Sequence, residues 1–73
     1  MNKNNIISAV DIAKRFHMSY QTVNHYTNLG LLTVRRRKGN GRFYLASEVK
    51  ARLEKIDKLK NEGYPLRIIR KII

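Results

Sequence analysis

The chain has 73 residues, no cysteine, and sixteen Lys and Arg against five Asp and Glu, a net charge of +11. So short a chain makes one small domain that buries only about 60% of its unfolded surface; it has no disulfide staple or cysteine-based zinc framework and no apolar run near the roughly 20 residues of a membrane span. Positive charge in such excess speaks about partners rather than fold, and it points to a polyanion.

Ile7 to Phe16 reads as a short helix, because Ala9, Ile12, Ala13 and Phe16 recur at the spacing of one helical face. Ser8 suits its N-cap, and Asp11 completes a capping box with Asp in place of Glu. His17 and Met18 form a tight connection. Ser19 then caps a second helix running to about Asn28, and Gly30 stands where a left-handed C-terminal residue is wanted. Two helices joined by so short a turn make a helix-turn-helix.

The second helix divides its faces unusually. Val23 and Tyr26 mark the apolar side, while Gln21, Asn24, His25 and Asn28 line up on the other. These side chains are neutral and able to hydrogen-bond, where a solvated face normally carries Lys and Glu. Asn and Gln can bond adenine bidentately in the major groove, so the face looks like a base reader. The plainer alternative is a merely polar surface.

Leu31, Leu32 and Val34 suggest a strand leaving that helix. Arg35, Arg36, Arg37, Lys38 and Arg42 then crowd one segment, interrupted only by Gly39, Asn40 and Gly41. Asn40-Gly41 is a hairpin signal because both residues tolerate positive φ, and Phe43 and Tyr44 resume apolar character. A basic hairpin of this kind is a wing, suited to phosphates or to the minor groove. Val49, Leu53, Ile56 and Leu59 give a third helix of about four turns, stopped by Gly63. Pro65 is placed in the first turn of a fourth helix, whose apolar stripe is Leu66, Ile69, Ile72 and Ile73. The fold expected is mainly α with a small β-hairpin, a winged helix-turn-helix: helix-turn-helix 8–29, wing 32–45, helical pair 46–73.

In this order the elements resemble the DNA-binding domain of MerR-family transcription regulators. Asp11-Ile12-Ala13 resembles the family's Glu-Val-Ala. Ser19, Thr22, Val23 and Tyr26 through Gly30-Leu31-Leu32 resemble its Ser-x-x-Thr-apolar-x-x-Tyr-x-x-x-Gly-Leu-Leu run. Arg42-Phe43-Tyr44 resembles the Arg-x-Tyr at the wing's exit, and Gly63-Tyr64-Pro65-Leu66 the Gly-aromatic-x-Leu joint. Two departures stand out: Asn24-His25-Tyr26 replaces the usual Arg-Tyr-Tyr, and His17 replaces a turn glycine.

The resemblance implies a bacterial, cytoplasmic, nucleoid-associated regulator without cofactor, whose partner is double-stranded DNA. Ser19, Tyr20, Gln21, Thr22, Asn24, His25 and Tyr26 would contact DNA from the recognition helix. Arg35, Arg36, Arg37, Lys38, Gly41, Arg42 and Tyr44 would do so from the wing, and Lys60 and Tyr64 from the helical pair. Tyr26 and Tyr44 read equally well as core aromatics, and Tyr64 as a staple between the last two helices. The resemblance also implies a parent homodimer joined through a region following Ile73, with the isolated domain a monomer. A small excisionase-like or DNA-packaging protein is the alternative on the same fold. An enzyme is not expected, since the sequence offers no nucleophile–base pair, P-loop or paired carboxylates. Nor does it offer the aromatic platform of single-stranded RNA modules.

Overall fold

A computed structural model of the chain describes residues 5–73. Its elements in order are β1 (Ile6–Ser8), α1 (Ala9–Arg15), α2 (Tyr20–Asn28), β2 (Arg36–Lys38), β3 (Gly41–Leu45), α3 (Ala46–Asn61) and α4 (Leu66–Ile72). The strands form one antiparallel sheet in the order β1-β3-β2. This is a winged helix-turn-helix, mainly α with a small sheet.

The capping box forms as the sequence predicts. Ser8 Oγ accepts from the Asp11 amide at 3.1 Å, and the Asp11 carboxylate accepts from the Ser8 amide at 3.4 Å. Helix α1 nevertheless begins later than the predicted Ile7, because Ile7 lies in β1 opposite Tyr44 of β3. The backbone of Ser8 thus closes a strand while its side chain opens a helix.

The C-terminal ends of α1, α2 and α3 share one closing bond and a left-handed residue. In α2 the amides of Gly30 and Leu31 donate to the carbonyls of Thr27 and Tyr26, and in α3 those of Gly63 and Tyr64 donate to Lys60 and Leu59. Both glycines sit at positive φ, +84° and +98°, the left-handed position this motif requires. At the end of α1 the Met18 amide bonds the Ala13 carbonyl, and the left-handed residue is His17, at φ +55°. A side chain there strains the backbone. His17→Gly should therefore stabilise the domain by about 0.5–1 kcal/mol after glycine's greater unfolded-state freedom is subtracted. Thermal unfolding should show a rise of a few degrees, roughly 4 °C, and an unchanged midpoint would mean that the turn is unstrained.

Further expectations need correction. The segment Leu31–Val34 is irregular, and Leu31 and Leu32 turn inward as core side chains instead of forming a strand. The wing turns on Gly39-Asn40, flanked by the Lys38–Gly41 pair, with Gly39 at φ +59°. That is the two-residue hairpin with glycine first, one residue earlier than Asn40-Gly41. On α4, Ile69 is buried and Leu66 and Ile73 pack against the core, but Ile72 is half exposed. Pro65 is the N-cap, just before the first turn.

The core gathers one side chain or more from every layer. Ile12, Val23, Leu31, Tyr44, Val49, Ile56 and Ile69 have almost no solvent exposure. Tyr44 lies in the central strand, so the sheet is held against α2 from within. The wing therefore leaves the core at a fixed place beside α2.

Candidate nucleic-acid interface

Ser19 and Thr22 set the start of α2. Ser19 Oγ accepts from the Thr22 amide at 3.0 Å, and the two hydroxyls are 2.8 Å apart. These contacts fix the helix entry and leave Tyr20 exposed beside it. Gln21, His25 and Asn28 are exposed and Asn24 is half-buried, so the polar face read from the sequence is a real surface. Tyr26 lies on the opposite side, 7% exposed, and belongs to the core.

In the wing, Arg36, Arg37 and Lys38 are all exposed. Arg37 stands directly opposite Arg42, and Arg36 opposite Phe43. Like charges facing each other across strands repel, so the hairpin carries a position that an anion would relieve. Gly41 leaves room for the wing's aromatic side chain: a Cβ there would come within 3.1 Å of the Phe43 ring. Arg42 turns toward the helix and donates to Asn24 Oδ1.

Two residues assigned to the wing's DNA contacts are otherwise engaged. Tyr44 is fully buried, and its hydroxyl lies 2.7 Å from Thr27 Oγ1, so no phosphate can reach it. Arg35 forms a two-pronged ion pair with Glu48 at the start of α3. The Arg35 hydrogen bond holds the Glu48 carboxyl below its ordinary value; slight burial opposes the shift, and the charges of Arg35 and Arg52 add to it. Glu48 in turn raises Arg35. Both groups are well exposed, so the pair orients the base of the wing more than it stabilises the fold. Lys60 and Tyr64 stand exposed at the α3–α4 corner, on elements separate from α2 and the wing.

Sequence reasoning missed three supporting residues. Thr27 anchors Tyr44, Glu48 holds Arg35, and Arg70 of α4 donates from Nε to the Leu29 carbonyl at 2.9 Å. Only Glu48 carried a signal, as the acid in the first turn of a helix. Thr27 and Arg70 find partners 17 and 41 residues away along the chain, beyond any local pattern.

Among the described residues, no helix is long and apolar enough to cross a membrane. Residues 7–73 match the family model described as MerR HTH family regulatory protein. No curated protein and no solved structure gives a significant match.

Proposed function

The chain belongs to the MerR HTH family of regulatory proteins, and from that premise we propose that it reads double-stranded DNA in a sequence-specific manner as the head of a transcription regulator. Helix α2 enters the major groove with Tyr20, Gln21, Asn24 and His25 toward base edges. The hydroxyls of Ser19 and Thr22 at its start lie near the backbone. Arg36, Arg37, Lys38 and Arg42 grip phosphates or the minor groove from the wing, and Lys60 and Tyr64 add contacts from the helical pair.

The observation that carries this reading is the hydrogen bond from Arg42 to Asn24. It joins the basic hairpin and the neutral polar helix face into one surface, which is the division of labour that DNA recognition needs. Phosphate contacts supply register and affinity, and base contacts supply choice. The pairing of Arg37 with Arg42 across the hairpin supports the same partner, because cations at facing positions favour a nearby anion.

The test separates the two roles. Replacing Arg36 and Arg37 with alanine should remove about two phosphate neutralisations and lower the slope of log affinity against log salt by roughly 0.9 for each. Gln21→Ala should instead weaken the preferred site by about 1–3 kcal/mol and random DNA far less. Fluorescence anisotropy across several salt concentrations measures both. An unchanged salt slope would remove the wing from the interface, and an equal loss on all sequences would make Gln21 a positioning residue.

A further inference from the structure

Asn24 does not offer solvent a free amide. Its Oδ1 accepts from the Arg42 guanidinium, and both side chains are half-buried where α2 meets the wing. The orientation follows from chemistry: a guanidinium has only donors, so the amide must turn its oxygen toward Arg42 and its Nδ2–H₂ group away.

This changes what α2 can read. An asparagine that selects adenine uses both ends of its amide on one base, Oδ1 for the N6 amino group and Nδ2 for N7. Here Arg42 holds one of the two lone pairs of Oδ1 and sets a cation beside it, which disfavours a further donor such as the adenine N6 amino group, and the group turned away from Arg42 is a donor. The N–H groups of Arg42 not bonded to Asn24 are donors too. Guanine alone presents two acceptors, N7 and O6, on its major-groove edge; adenine presents one of each kind, thymine one acceptor beside a methyl, and cytosine a donor. Glu48, the acid nearest in sequence to the wing, is bound to Arg35, and it supplies no competing acceptor to Arg42.

We propose that Arg42 and Asn24 act as a single donor-rich reader whose target is guanine in a G·C pair, in place of the adenine that a free Asn24 would select. Arg42 is then a specificity-determining residue as well as a wing cation. The assignment rests on the DNA-binding reading above and goes beyond it, because it fixes one base of the recognised sequence. Gln21 and His25 have no such partner from the wing, so the guanine requirement belongs to the Asn24 position alone.

The experiment is enrichment from a randomised double-stranded DNA pool with the unaltered chain, with Arg42→Met and with Arg42→Lys, each first checked for folding by circular dichroism. The unaltered chain should enrich a motif containing a guanine that Arg42→Met replaces with adenine. Arg42→Lys, which keeps a donor, should retain guanine with reduced preference. Placing 7-deazaguanine at that position removes N7 and should weaken the unaltered chain about tenfold, while leaving Arg42→Met unaffected. An Arg42 that only grips phosphate would lower affinity on every sequence alike and shift no base, which overturns the proposal. So does adenine at the Arg42-dependent position. A chain that retains no DNA from the pool overturns the DNA-binding reading together with this inference, so the two failures are distinguishable.

Discussion

Replacing Tyr44 with alanine should cost the domain about 3–5 kcal/mol, a large part of the roughly 4–11 kcal/mol expected for a chain of this length. The reason is position. Tyr44 is the largest side chain wholly removed from solvent, and it sits in the middle strand, opposite Ile7 of β1. Removing its ring opens a cavity under α2 that the surrounding elements can only partly close. Its hydroxyl adds a second tie. Thr27 Oγ1 commits its one hydrogen to the Val23 carbonyl at 2.8 Å, so the Tyr44 hydroxyl must be the donor in the 2.7 Å contact with Thr27. Tyr44→Phe removes that donor and leaves Thr27 bonded to Val23. It should therefore cost much less, about 0.5–1.5 kcal/mol. Urea unfolding followed by circular dichroism separates the two variants. Near-equal midpoints for Tyr44→Ala and the unaltered chain would mean that the sheet and α2 are held together by something other than this ring.

Tyr44 also shows what can be learned from the sequence and what cannot. Its apolar neighbours and its place after the hairpin allowed a wing residue or a core residue. Only the pairing of β3 with β1 decides, and β1 is three residues long, too short to show a period. The same pairing places Ile7 in a strand, although in the sequence it stands beside the Ser8–Asp11 capping box of a helix. The wing turn was legible as a class but not in register, since Gly39-Asn40-Gly41 holds two overlapping two-residue turns. The observed register puts Arg37 opposite Arg42. A turn on Asn40-Gly41 would instead set Arg37 opposite Tyr44.

The helices were legible because their signals are local: Ser19, Gly30, Gly63 and the 3.6-residue stripes each act within a turn or two. The polar face of α2 was legible for the same reason. What the face presents was not, because the Arg42–Asn24 bond spans 18 residues of chain. The hydrogen-bonding groups that this face offers depend on a contact that only the fold creates.

Gly30→Ala should destabilise the domain by about 2–3 kcal/mol, through two effects that can be separated. Gly30 follows the end of α2 at φ +84°, a conformation that costs an L-residue about 1–2 kcal/mol. Its missing Cβ also makes room for Arg70, whose Nε would lie 3.2 Å and Nη2 3.4 Å from the added carbon. That guanidinium caps the end of α2 by donating to the Leu29 carbonyl at 2.9 Å, one of the carbonyls a helix leaves without an internal partner. An alanine methyl would push Arg70 away from it. Arg70→Ala alone should cost only about 1 kcal/mol, because the bond is exposed and water can take over the carbonyl. Once Arg70 is gone, the methyl of Gly30→Ala displaces nothing, and only the backbone strain remains. The double variant should thus lose less than the sum of the single losses, by about 0.5–1 kcal/mol. Chemical denaturation of the four proteins closes the cycle. Strict additivity would show that the Arg70 side chain yields to the methyl while keeping its hydrogen bond, and that Gly30 serves α2 through its backbone conformation alone.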